Sequence, residues 1–273
     1  MLRATTINRK LYGDAIEILF KSHPYHSFKR LDMPGTVPSV TSITGKLDKS
    51  RQLIIWAIRT DFGYLRSKIE ERTGEKFTVE ELYPIIDEAA RQHDVKKLEA
   101  ASIGDKAHEF AELFSLAKIK GGDTPELPNA EQFPEVHTAI TAFLEWYNDN
   151  HIEFLEVENI VYSKKHHYAG FFDCIAVVNG KRVLVDYKTS NGFYNEHSYQ
   201  KSGYWGAWEE QTGETLDGAL VVRFSKEAKG GPLFETKLYT PADHKKDFKA
   251  FLGLHAVAKR EKELQEIWRK ENT

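Results

Sequence analysis

The segment YAGFFDCIAVVNGKRVLVDYKTS, Tyr168 to Ser190, constrains the fold of this chain more than any other stretch. Asn179-Gly180 at its centre is the strongest short hairpin signal, a two-residue type I′ turn with positive φ at both positions. So short a turn fixes register: Val178 faces Lys181, and Asp173 falls opposite Asp186. Opposed side chains in an antiparallel pair have Cβ atoms roughly 4.5–5.5 Å apart. Lys188, two residues beyond Asp186, projects from the same face. The hairpin is otherwise apolar on both faces, with Ile175, Val177 and Leu184 expected on one and Phe172, Cys174, Val183 and Val185 on the other. That is the pattern of a central strand pair covered on both sides. Two facing carboxylates there repel each other, and Lys188 neutralises only part of their charge. A hard divalent cation held by carboxylate oxygens completes the balance. The alternative is a structural Asp–Asp–Lys ion-pair cluster at a sheet end, but uncompensated buried charge costs stability and so favours a functional origin.

Around this hairpin the hydrophobic period changes. Residues 1–45 read as mixed, with extended pieces at HSFKRLD and PSVTSITG. A helical period starts near Lys49 and runs to about Arg72, with Leu53, Ile54, Ala57, Ile58 and Phe62 on one stripe. TVEE at Thr78–Glu81 is a capping box for a second helix, which carries Pro84 and is expected to end before Ile103. A third helix is expected from Gly104 to Lys120, then a linker containing Gly121, Gly122, Pro125 and Pro128, then a helix over 132–149. The period then becomes two for strands at Glu153–Ser163, Ala169–Val178 and Lys181–Ser190. A helix over about 195–211, strands at Asp217–Ser225 and Leu233–Tyr239, and a closing helix over 241–270 complete the chain. The expected fold class is α/β: a central mixed β-sheet flanked by helices, with an αβββαβ core and an N-terminal helical lobe. The expected division is an extended segment and helical lobe over 1–130, and a core over 131–273.

Composition narrows the function. The 273 residues carry a net charge of -3, so contact with nucleic acid would need a local basic patch rather than a polycationic chain. The single cysteine, Cys174, excludes an intrachain disulfide and a four-cysteine iron–sulfur or zinc site. There is no apolar run long enough to span a membrane and no signal-peptide core at the N-terminus, so the cytoplasm or another reducing compartment is expected. Thr44–Leu47 holds a Gly-Lys pair without the Walker A spacing. Any ATP-driven motor that works with this chain would be on another.

Four stretches together resemble the PD-(D/E)XK nuclease superfamily, specifically its RecB-like exonuclease branch and phage-type members. GDKAH (Gly104–His108) resembles the branch's Gly-x-x-x-His helix. AGFFD, ending at Asp173, resembles Gly-x-x-Asp. DYKTS from Asp186 resembles Asp-x-Lys-Thr-Ser. QKSGY (Gln200–Tyr204) resembles Gln-x-x-x-Tyr. Their order and spacing agree, over roughly Val37 to Gly213.

The resemblance implies a metal-dependent DNA nuclease, an exonuclease acting in recombination, repair or replication. Structure-specific or restriction-type endonuclease activity, and a catalytically silent DNA-binding module, are the alternatives. It implies Mg²⁺ or Mn²⁺ bound by His108, Glu158, Asp173, Asp186 and the Tyr187 carbonyl, with no iron–sulfur cluster. Glu156, two residues from Glu158, competes with it for that role. Lys188 would stand beside the attacked phosphate, and Gln200 and Tyr204 would support it or the DNA. Glu112, one turn past His108, would hydrogen-bond it. Lys164 and Lys165, in the SKKHH loop, are expected to contact phosphates, and Lys46, Lys49 and Arg51 are similar candidates. Trp205 and Trp208 read as core. The implied partners are DNA, single-stranded or at its ends, and a separate helicase or recombination protein, with no membrane. The helical lobe would wall a channel over the sheet.

Overall fold

The structure is a computed structural model that describes residues 6–22, 26–227 and 231–271. Three short strands, β1 (Thr6–Leu11), β2 (Ile16–Lys21) and β3 (Ser27–Arg30), precede α1 (Val40–Thr44), α2 (Ser50–Glu70), α3 (Val79–Ala89), α4 (Gln92–Lys120) and α5 (Pro134–Asp149). Then come β4 (Ile152–Ser163), β5 (Tyr168–Val178), β6 (Lys181–Lys188), α6 (Asn195–Thr212), β7 (Gly218–Phe224), β8 (Phe234–Tyr239) and α7 (Pro241–Glu271). The chain forms two compact units: residues up to Leu47 together with those from Ala107 onward, and Asp48–Lys106. Among the described residues, no helix is long and apolar enough to cross a membrane.

In the larger unit, β4 to β8 form one sheet in chain order, with β6 and β7 parallel and every other neighbouring pair antiparallel. This is the expected mixed sheet flanked by helices. The Asn179-Gly180 turn has positive φ at both residues, 50° and 79°, as type I′ geometry demands. The register it sets runs from Val178↔Lys181 to Cys174↔Val185. One face of the sheet packs on α1, α6 and α7 through Ile175, Leu184, Tyr204, Trp205, Trp208 and Phe251. On the other, Tyr187 and Phe224 meet Phe143 of α5, which in turn meets Phe110 and Phe114 of α4 edge-on.

Phe172 corrects the expected assignment of faces. It joins Ile175 and Leu184 in one cluster, although three residues separate it from Ile175. Strict alternation would put residues 172 and 175 on opposite faces, so the phase of β5 slips between them, at Asp173–Cys174.

The N-terminal region also departs from expectation. β1 to β3 form an antiparallel sheet whose Leu11, Ile18, Phe20 and Phe28 pack on Ile160, Tyr162 and Ala169 of β4 and β5. PSVTSITG is not extended: Ser39 caps α1 by accepting from Ser42 N–H, while Ser42 Oγ accepts from Ser39 N–H. That reciprocal cap is enough for one short helix. Its Val40 is fully buried between Gly170 of β5 and Gly203 of α6.

The expected break before Gly104 is absent. The chain turns at Ala90–Arg91, and α4 then runs unbroken through Gly104. A glycine inside a helix costs only about 1 kcal/mol relative to alanine, which a 29-residue helix absorbs. In the smaller unit, α2 spans the expected residues but buries none of them.

Lys201 ties α6 to its neighbours. Fully buried, its Nζ donates to Asp247 Oδ2 of α7 at 3.0 Å and lies 3.9 Å from the Tyr239 ring centroid. Gly170 lets the same helix approach the sheet: a Cβ there would lie 2.6 Å from the Tyr204 ring. Gly170→Ala should therefore destabilise the chain by roughly 1–3 kcal/mol in urea unfolding, as overpacking of a filled core does. An unchanged midpoint would show that the Tyr204 contact is looser than described.

Candidate metal centre

Two strands lose their hydrogen bonding at the level of Asp173. The β4–β5 ladder runs Val157↔Cys174 and then Asn159↔Phe172, omitting Glu158 and Asp173 between them. The β5–β6 ladder ends at Cys174↔Val185, one pair short of Asp173 and Asp186. The Tyr187 N–H instead donates to Asp173 Oδ2 at 2.6 Å. Opposite the lapse, Glu158 adopts φ 46°, a left-handed conformation in mid-strand. A non-glycine residue there costs on the order of 1–3 kcal/mol, and such strain concentrates at functional sites.

The lapse gathers side chains from three elements. His108 of α4, Glu158 of β4 and Asp173 of β5 each offer a ligand atom, and these atoms all lie within 4.8 Å of one another. His108 Nδ1 is 3.5 Å from Asp173 Oδ1. Beside them, Lys188 Nζ donates to Asp186 Oδ1 at 2.8 Å and stands 2.7 Å from Oδ2, which receives no directed hydrogen bond. Asp186, only 2 % exposed, is not one of the three clustered ligands.

Burial and mutual charge set the protonation of the group. Burial, then the Asp173 and Glu112 carboxylates, push Glu158 up to about 9. Burial alone would raise Asp173, but His108, Lys188 and the Tyr187 amide outweigh it and hold it below its ordinary value. Burial would lower His108, and the Asp173 carboxylate outweighs that and raises it. Burial raises Asp186 despite Lys188. Lys188 is pressed down by burial but raised overall by Asp186 and Asp173.

This donor set fits a divalent cation. Two carboxylates and an imidazole converge, and burial with the neighbouring carboxylates makes a second negative charge there unfavourable until a cation balances it. Carboxylates suit Mg²⁺ and Mn²⁺, and the imidazole suits a transition ion.

The other expected residues divide. Gln200 Nε2 donates to Tyr204 Oη at 3.0 Å. Burial and the charges of Asp186, Asp173 and Glu158 raise the Tyr204 phenol, so α6 brings it into their field. Tyr187 places its ring in the core. Glu156 is taken up elsewhere, accepting from Trp208 Nε1 at 2.9 Å and Asn159 Nδ2 at 3.0 Å. Trp205 and Trp208 are core, as expected. The field of Glu112 acts on Glu158. Lys164 and Lys165 lie in the exposed turn 164–167; Lys164 Nζ sits 4.1 Å from the Tyr12 ring centroid, and Lys165 N–H donates to Glu210 Oε1 at 2.9 Å.

Glu196 was not anticipated. It lies one turn before Gln200 on α6 and its charge acts on Lys188. The signal was present in the sequence as the four-residue spacing Glu196, Gln200, Tyr204, which puts the three on one helix face.

No family model matches the chain, and no curated protein matches it. The fold and the cluster define a mixed α/β protein with a group of side chains that could hold a metal. Among solved structures the chain is similar to the crystal structure of an alkaline exonuclease from Laribacter hongkongensis, at 12 % identity and a TM-score of 0.31, covering 60 % of this chain and 84 % of that one. So slight a likeness carries no argument about the site.

Glu158 makes a pH-dependent prediction. Its folded pKa is raised, so the folded state holds a proton that the unfolded state releases. Metal-free stability therefore falls as pH rises from the ordinary carboxylate range through about 9. Glu158→Gln should stabilise the metal-free chain against urea at pH 8, and the gain should shrink toward pH 5. Equal stability of the two proteins at both pH values would contradict this account of the site.

Proposed function

We propose that this chain is a divalent-metal-dependent deoxyribonuclease, an exonuclease that hydrolyses phosphodiester bonds at DNA ends. The observation that carries the reading is the meeting of His108, Glu158 and Asp173 beside the Asp186–Lys188 pair. Residues some 65 positions apart in the chain are gathered there at the cost of a strained Glu158 and a broken ladder. The four motifs that resemble the RecB-like branch agree with it.

In this reading His108, Glu158 and Asp173 hold the cation, joined by Asp186 and the Tyr187 carbonyl. When bound, the ion supplies Lewis-acid polarisation and neutralises charge on the phosphodiester. Asp173 is oriented by the Tyr187 amide, which fixes one carboxylate oxygen and leaves the other toward His108. Lys188, an ammonium paired with Asp186, donates to a phosphoryl oxygen and stabilises the charge that develops there. Tyr204, wedged on Gly170 and hydrogen-bonded by Gln200, walls the site and excludes water from its floor. Lys164 and Lys165 contact DNA phosphates from the exposed turn.

Purified protein with Mn²⁺ or Mg²⁺ should degrade end-labelled linear DNA and leave closed circular DNA intact. Lys188→Ala should lower kcat by roughly 10²–10³-fold, the usual loss when one charge-stabilising donor is removed. Its Mn²⁺ affinity by calorimetry should stay within a few-fold of the parent. Equal degradation by both proteins would remove Lys188 from the reaction, and cleavage of closed circles would make the enzyme an endonuclease.

A further inference from the structure

The first half of α7 is seated on histidines. Phe248, Phe251, Leu252 and Leu254 join the core there, and α6 meets them closely: a Cβ on Gly206 would lie 2.5 Å from the Phe248 ring. Beside them, His244 of α7 stacks on Trp205 of α6 with ring centroids 4.1 Å apart and planes 13° from parallel, and it meets Phe248 at 5.4 Å. Three turns on, His255 meets the Tyr168 ring of β5 at 5.9 Å. His166, from the turn between β4 and β5, meets Tyr168 at 6.5 Å and Phe248 at 5.8 Å. His244 Nδ1 and His255 Nε2 are buried without a hydrogen-bond partner.

A proton on any of these rings would meet cations, or acids already committed. His244 stands in the field of Lys201 of α6, whose Nζ donates to Asp247 and faces the Tyr239 ring of β8. Asp243, next to His244, accepts from the Thr240 N–H and hydroxyl. His255 faces His166 and Lys259, Tyr168 Oη donates to the Gly203 carbonyl, and Glu261 pairs with Lys46 beyond α1. His166 faces Lys165, Glu210 and His167, and Glu210 accepts from Ser163 Oγ, the Lys165 N–H and Tyr12 Oη. Burial and then the neighbouring cations hold all three below the ordinary histidine value, with His244 pushed down to about 4. We propose that α7 is an acid-released latch: uncharged His166, His244 and His255 seat its first half, and their protonation undocks that half while the sheet stays folded. The proposal stands apart from the nuclease reading, since it uses no residue of the metal centre.

Because these values are depressed in the docked state, the released state takes up protons that the docked state refuses. Docking is fully stable above about pH 6.5 and weakens as pH falls toward about 4. His244 alone shifts the balance toward release by about thirtyfold at pH 5. Amide hydrogen exchange of the full chain, read by mass spectrometry and corrected for the intrinsic pH dependence of exchange, tests the latch. From pH 7 to pH 5, peptides over 243–256 should lose protection by at least about tenfold, while those over β5 and β6 change by less than about twofold. In H244F/H255F, which keeps aromatic rings but not their titration, the loss over 243–256 should shrink to about threefold or less. Unchanged protection of 243–256 in the parent at pH 5 would overturn the proposal. A loss of equal size over β5 and β6 would do the same, because it is general acid unfolding. So would an undiminished loss in H244F/H255F. Should that variant not fold, proton NMR of the parent decides: at least three imidazoles with midpoints below 6.5 support the latch, and fewer than three overturn it.

Discussion

The main-chain ladder lapses on both sides of Asp173, and the candidate site is built in the gap. An uninterrupted antiparallel trio of strands would pair Glu158 with Asp173 and Asp173 with Asp186. The Tyr187 amide gives its hydrogen bond to a carboxylate rather than to the neighbouring strand. Glu158 turns into the left-handed region, and β5 shifts phase so that Phe172 and Ile175 share a face. These irregularities direct two carboxylates toward His108 on α4. Strain of this kind concentrates at functional sites.

The lapse is tolerated because the surrounding packing is tight. Val40 of α1 is wedged between Gly170 and Gly203, and Tyr204 lies flat against Gly170. Lys201, buried against Asp247 and Tyr239, holds α6 in place. Gly170 and Tyr204, which belong to different sequence motifs, are thus one contact: the glycine is small because the tyrosine ring needs its space. Asp186 keeps its charge partner in Lys188 two residues away, so the end of β6 carries its own compensation.

Much of this was legible in the sequence. Asn179-Gly180 dictated the hairpin and its register, and the change of hydrophobic period at residue 152 placed the sheet and its flanking helices. Period two, however, assumes unbroken alternation, and so it assigned Phe172 to the wrong face. Nothing local signals the phase slip at Asp173, where the ladders to both β4 and β6 lapse. β1 and β2 were missed because their residues alternate weakly and gain their packing from distant Ile160, Tyr162 and Ala169. Gly104 suggested a helix boundary that a long, well-packed helix overrides. Glu158 and Glu156 are neighbours two apart, and the bond that takes up Glu156 comes from Trp208, too far along the chain for local sequence to show it.

The central claim is that His108, Glu158 and Asp173 share one divalent cation. Crystals grown with Mn²⁺ and measured at its absorption edge test it most directly. The account predicts a single strong anomalous peak within coordination distance of the His108 imidazole and of the Glu158 and Asp173 carboxylates. No peak in that group, or a peak that leaves all three side chains uncoordinated, would contradict it.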